Sequence, residues 1–179
     1  MVQHTVTRME GADGAVLVVP EALKEALTMV ESASPAETIE GLAKLSHVVF
    51  NNQLCKEAAG DLGAIKVVAS AMARNLDNAA LQVDGCHALR NIVFHCEQNV
   101  QLVREEGGIE AVLNAMKKHA EAEAVQAEGC WALVVFCSNH DENVAAVKPF
   151  AEIVDSAVQT HEKNANIASK GRFLQALLA

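Results

Sequence analysis

Seven histidines and five cysteines are the side chains of this 179-residue chain best suited to metal or nucleophilic chemistry. Three local pairs stand out: Cys86 with His87, His95 with Cys96, and Cys137 followed by His140. Structural zinc takes two ligand pairs at short spacings that converge on one tetrahedron. Adjacent residues on a helix point about 100° apart, so Cys86 and His87 do not share an ion easily, and neither a metal nor another cofactor is expected. His87 with Cys130 is a conceivable thiol–imidazole dyad, set against the ordinary alternative of a small buried thiol. Glu105, Glu106, Glu121 and Glu123 lie near predicted helix ends, where solvation and the helix dipole already account for carboxylates. No G-x-S-x-G elbow, Walker loop or dinucleotide fingerprint occurs. A non-catalytic chain is the expectation, with a cryptic thiol or imidazole enzyme as the alternative from another class.

The elements that would position these groups repeat. Residues 63–72 overlay residues 107–116, and the segment from Gly85 overlays that from Gly129, at one offset of 44. The same step sets Gly41, Leu45, Val48, Val49 and Phe50 under residues 85–94, Asn143 to Val147 under Asn99 to Val103, and Ile153 under Ile109. About three and a half units result. Within one unit, Val100 and Val103 share a face of a short helix over residues 99–106, which Gly107-Gly108 interrupts. Ile109, Val112, Leu113 and Met116 form a stripe of helical period on a second helix to about residue 119. A third, over about 123–138, turns Val125, Leu133, Phe136 and Cys137 inward, while Gly129, Cys130 and Ala132 allow close approach. No stretch of comparable length alternates with period two, so the predicted fold class is all-α.

Composition narrows the function classes. Fourteen basic against twenty-three acidic side chains give a net charge of −9, which disfavours a grip on nucleic-acid phosphates. The longest apolar run, residues 130–137, has eight members, against about twenty for a bilayer span, so no membrane insertion is expected. The N-terminal residues lack the basic start of a secretory signal. Cys55, Cys86, Cys96, Cys130 and Cys137 read as reduced core residues, predicting a reducing, cytoplasmic compartment.

Residues 99–113 spell N-V-x-x-V-x-x-x-G-G-I-E-x-V-L and residues 125–133 spell V-Q-x-x-G-C-W-A-L. In these motifs the chain resembles the armadillo repeat family, strongly over about residues 52–140, more weakly over 20–51 and 141–179, and not at all over the first fifteen or so. The resemblance implies a right-handed superhelix of three-helix repeats, no catalytic apparatus, and a concave groove lined by the third helices that binds peptides or protein surfaces. Residues 1–15 are then an N-terminal extension and residues 16–179 one domain, in units of roughly 16–51, 52–97, 98–140 and 141–179. The last unit departs from the pattern: Ala151-Glu152 replaces the glycine pair behind Pro149, predicting a distorted or merged short helix.

In peptide-binding members of that family a Trp and an Asn four residues later recur as a ladder. The corresponding positions here are Ala43, His87 and Trp131, then His47, Asn91 and Val135, so each rung keeps the family residue once and the nuclear-import type of clamp is not carried over intact. Three residues before the Trp rung stand Glu40, Asp84 and Glu128. Stacked helices would space these acids by roughly 10 Å, either as a rail for an extended basic peptide or as an ordinary solvated face; Lys44 and Arg90 sit near enough to neutralise it. At the ends, Leu23, Ala26, Leu27 and Val30 give a first helix an inward stripe, with Glu21, Lys24 and Glu25 outward as a polar cap. Phe173, Leu174, Leu177 and Leu178 crowd the last segment and predict a docking face for a second copy or another protein, unless they complete the last unit's own core. A small adaptor or complex subunit that binds a protein or peptide is the functional expectation.

Overall fold

The computed structural model describes residues 6–10 and 16–179. Two short strands, β1 (Val6–Glu10) and β2 (Val16–Pro20), pair antiparallel with Val6 opposite Pro20, and β2 runs beside the first and third helices. This ribbon is a departure from expectation, since five-residue strands are too short to register as alternation among helical stripes. Everything after it is helical: α1 (Glu21–Val30), α2 (Pro35–Val49), α3 (Gln53–Asp61), α4 (Ala64–Arg74), α5 (Ala79–Val93), α6 (Glu97–Glu105), α7 (Gly108–Lys118), α8 (Glu123–Cys137), α9 (Asp141–Val147), a 3-10 turn (Lys148–Phe150), α10 (Ala151–Thr160) and α11 (Ala165–Leu178). The all-α class holds, and no described helix is long and apolar enough to cross a membrane.

The period appears in the elements themselves. Helices α3, α4 and α5 have 9, 11 and 15 residues, and α6, α7 and α8 repeat those lengths. Each extensive helix contact lies within a unit or between adjacent units, with α2 against α5, α5 against α8 and α8 against α11. Local chemistry marks the boundaries. Gly63 and Gly107 hold φ of +68° and +80° ahead of the second helices, a conformation that costs little only without a Cβ. Asn51, His95 and Asn139 stand at φ of 51°, 56° and 62° just past the third helices, residue types that tolerate the left-handed region better than most. Asn52, Asn78 and Asn164 cap α3, α5 and α11 by accepting from main-chain N–H groups.

Four buried carboxamides tie these helix ends together. Gln82 Nε2 donates to the carbonyls of Met72 and Asn75 at 3.0 and 2.9 Å, and Gln126 Nε2 repeats this with Met116 and His119, both at 2.9 Å. Asn99 Nδ2 donates to Lys56 O at 2.7 Å and Ile92 O at 3.0 Å; Asn143 Nδ2 does the same with Val100 O and Phe136 O at 3.0 and 2.8 Å. Met72, Asn75, Ile92, Met116, His119 and Phe136 lie in or just past a last turn, where carbonyls have no partner within the helix, so these donors satisfy them; Lys56 and Val100 lie inside α3 and α6, and their bonds set the distance between units. Between these ties, Leu42, Leu45, Ile65, Leu89, Met116, Leu133 and Phe136 fill a core that is continuous along the array. Gly85 and Gly129 let α5 and α8 close on α4 and α7, since a Cβ there would lie 2.5 Å from Met72 Cγ and Met116 Cγ respectively.

Both ends of the array differ from its middle. On α1, Leu23, Ala26, Leu27 and Val30 are buried while Glu21 and Glu25 are exposed, in keeping with a polar cap. In the last unit α9 passes through the Pro149 turn straight into α10, the merger that the missing glycine pair predicts. The C-terminal docking face needs correction: Leu174 is fully buried and Leu178 is 4% exposed, both in the chain's own core, and Leu177 packs against it half-buried. Only Phe173 of the four stands out, because the helical period sends Leu174 and Leu178 to the face that meets α8 and α10.

Truncating a tie should cost more than its size suggests. Asn143→Ala leaves two buried carbonyls without that donor, a loss of about 1–3 kcal/mol. Urea unfolding should show it, whereas Asn139→Gly, at a position where glycine fits the backbone, should stay within about 0.5 kcal/mol of the parent; equal effects would remove the special role of the carboxamide.

Candidate partner-binding face

Gly41, Gly85, Gly129 and Gly171 occupy the same place on the four stacked third helices, each where a Cβ would strike Met29, Met72, Met116 or Val158 of the preceding helix in its unit. Counting from these glycines aligns the outward positions. One residue earlier stand Glu40, Asp84, Glu128 and Lys170; two later, Ala43, His87, Trp131 and Phe173; six later, His47, Asn91, Val135 and Leu177. All twelve are exposed or half-buried. These positions recur on one side of the stacked third helices, Lys44 falling outside them, and Phe173 and Leu177, read from sequence as a separate terminal feature, belong to the last rung. Two residues fewer in the last unit, an offset of 42 between Gly129 and Gly171, hid that equivalence from a fixed 44-residue comparison.

Trp131 is the centre of this face and the chain's one tryptophan. It is 42% exposed. Arg90 on α5 places Cζ 3.6 Å from the ring centroid, and Lys170 on α11 places Nζ 4.6 Å from it. Both distances lie within the range where a cation is attracted to the negative face of an indole. Arg90 is 7% exposed and sits 3.4 Å from Glu128 Oε2. Neither Glu128 Oε2 nor Arg90 Nε completes a hydrogen bond, so this contact is Coulombic with no bidentate geometry.

The acidic stripe is thereby divided. Glu128 is neutralised by Arg90, as expected from sequence. Lys44 does not act on the stripe: it pairs with Glu25 of α1 at 2.7 Å, because the polar face of the first helix lies closer to it. Glu40 and Asp84 are in no ion pair among the described residues. Burial holds the Asp84 carboxyl above its ordinary range, with His87 acting against that and Glu128 adding to it. Asn91, the family-like rung residue, donates to Ser46 Oγ at 2.7 Å and so braces α5 against α2.

A cleft of about 530 Å³ opens beside Trp131 between the ends of α5 and α8, lined in part by Phe94, His95, Val134, Val135 and His140. Phe94 is 45% exposed, and its carbonyl accepts from the buried Lys56 Nζ, which fixes the end of α5. Sequence reasoning missed this cleft, although the outward Phe94 was already aligned with Phe50. It also missed a second cleft of about 400 Å³ between α7 and α10, lined by Ile109, Leu113, Phe150 and Ile153 among others. That one lies where the last unit departs from the repeat.

The residues weighed for chemistry are dispersed. All five cysteines are buried and unpaired. Burial pushes the thiols of Cys86, Cys130 and Cys137 up to about 12, which keeps them protonated at neutral pH and poor as nucleophiles. His87 faces outward while Cys130 points into the core, so the dyad does not assemble. No three His, Cys, Asp or Glu side chains converge as a metal site among the described residues. No family model, curated protein or solved structure matches the chain.

Two variants test the electrostatics. A carboxyl whose titration is raised by folding costs stability when ionised, and that cost disappears once both states are protonated. Asp84→Asn should therefore raise the Tm at pH 7, with the gain shrinking as the pH falls through the carboxylate range; a lower Tm at pH 7 would contradict the burial argument. Arg90→Met removes the cation from Trp131 and leaves Glu128 without its counter-charge. It should lower stability by about 1–3 kcal/mol and make Trp131 emission more accessible to acrylamide quenching.

Proposed function

We propose that this chain is a non-catalytic protein-interaction module built as an armadillo-like right-handed solenoid, acting as an adaptor or as a subunit of a larger assembly in the reducing cytoplasm. The observation that carries this reading is the third-helix face, where Trp131 and Phe173 stand exposed in equivalent positions and Trp131 borders a cleft of about 530 Å³. Aromatic side chains held on rigid helices are the usual anchors of protein recognition. Such an array supplies a long, extended surface for contact. Buried, unpaired cysteines support the reducing compartment, and the burial of Cys130 counts against the thiol enzyme.

A second reading has one observation behind it. Glu40 and Asp84 lie at equivalent positions without ion pairs among the described residues, as a groove for an extended basic peptide would require. That reading depends on the acidic half of the face alone.

Binding through the face makes the aromatic pair decisive. Partners cross-linked to the wild-type chain in a cell extract should be lost, or weakened by roughly tenfold or more, on a Trp131→Ser/Phe173→Ser variant whose melting curve is unchanged. Undiminished capture by that variant would place binding on another surface.

A further inference from the structure

Resting on the third-helix face as the binding surface, we infer that its C-terminal half takes a partner segment that is acidic and apolar, and turns a basic one away. The reason lies in what already occupies Trp131. A basic ligand would use the indole faces for its cationic stems, yet Arg90 approaches the ring to 3.6 Å from α5 and Lys170 to 4.6 Å from α11, the helices that pack against α8. The chain thus supplies its own cations where a lysine or arginine of a partner would stack. An incoming cation must displace one of them and approach the other at close range, where like charges repel.

Register gives an independent argument. The position that is acidic in the first three units, Glu40, Asp84 and Glu128, becomes Lys170 in the fourth, each one residue before its aligned glycine. Glu128 is engaged by Arg90 at 3.4 Å. Lys170 makes a hydrogen bond to Asn166 Oδ1 at 3.2 Å and has no carboxylate partner among the described residues. Positive charge without an internal counter-ion therefore sits over an exposed aromatic, Trp131, which itself borders the cleft walled by Phe94, Val134 and Val135; Phe173 stands three residues further along α11. Glu97 at the far rim of that cleft is 3.7 Å from His140 and sets the limit of the cationic region. A carboxylate of the partner fits against Lys170, with an apolar side chain following into the cleft, so that charge complementarity selects the occupant. The face as a whole is then polar along its length, with unpaired acids at Glu40 and Asp84 and an unpaired cation at Lys170.

Selection from a displayed library of random twelve-residue peptides on the immobilised full chain tests this, using wild type, Lys170→Glu and the milder Lys170→Gln, each checked by melting. Peptides enriched on wild type should combine Asp or Glu with apolar residues, shift Trp131 emission on binding, and weaken by roughly tenfold on Lys170→Glu, with Lys170→Gln between. Basic peptides that shift Trp131 emission, or acidic ones indifferent to Lys170, would overturn the inference and leave the face standing as a binding surface. Enrichment with no peptide acting on Trp131 would overturn both.

Discussion

The buried carboxamides of Gln82, Asn99, Gln126 and Asn143 are the interaction on which the rest of this structure depends. A three-helix unit exposes the last carbonyls of every helix to whatever packs beside it, and an unmade hydrogen bond in a dry interior costs more than a made one returns. Gln82 and Gln126 each close two such carbonyls through the amide nitrogen, while Asn99 and Asn143 each close one and bond a second inside the first helix of the preceding unit. The asparagines do so across units: Asn99 joins α6 to α3 and α5, and Asn143 joins α9 to α6 and α8. Apolar packing alone would tolerate sliding by a fraction of a turn, because hydrophobic contact has little direction. The ties do not. They make the repeat a mechanical pitch, and the stacked third helices inherit it.

That pitch is what turns scattered side chains into a surface. Residues 44 apart in sequence come to lie side by side, so one change of type in one unit changes one rung and leaves its neighbours in place. Side-chain type changes rung by rung along the face, from Ala43 through His87 to Trp131 and, at an offset of 42, Phe173, and from Glu40 to Lys170. Arg90 shows the coupling between rungs: a buried guanidinium from one unit both balances the acid and covers the indole of the next. Surface chemistry can therefore vary along the array while the core residues that carry the fold stay alike.

Much of this was legible in the chain. Gly107-Gly108, the stripe Ile109–Val112–Leu113–Met116, and the small residues around Gly129 place three helices and their boundaries within a residue or two of those observed. Trp131 occupies the same outward helix position as Ala43 and His87, a register that the 44-residue offset carries. What stayed hidden has physical causes. Gln126 and Asn143 recur with the period, but polarity on a helix ordinarily signals solvent, and only the packing reveals them as interior. Loss of a residue before α10 and another before α11 broke the arithmetic that would have joined Phe173 to Trp131. The crowd of Leu174, Leu177 and Leu178 looked like a sticky end because one helix in isolation does not show which of its faces a preceding unit covers. Lys44 chose Glu25 over the acidic stripe, a contest between two nearby acids that spacing does not decide.

The central claim is that one period of 44 residues is a removable mechanical unit. Deleting residues 97–140 joins Cys96 to Asp141, the residue one period after Glu97, and brings α5 against the helices that met α8. Circular dichroism with urea unfolding of this form, beside a 33-residue deletion starting at the same point, tests it most directly. The account expects the 44-residue deletion to fold into a helical protein with a cooperative transition and the 33-residue deletion to lose that cooperativity. Equal behaviour of the two, whether both folded or both unfolded, would contradict it.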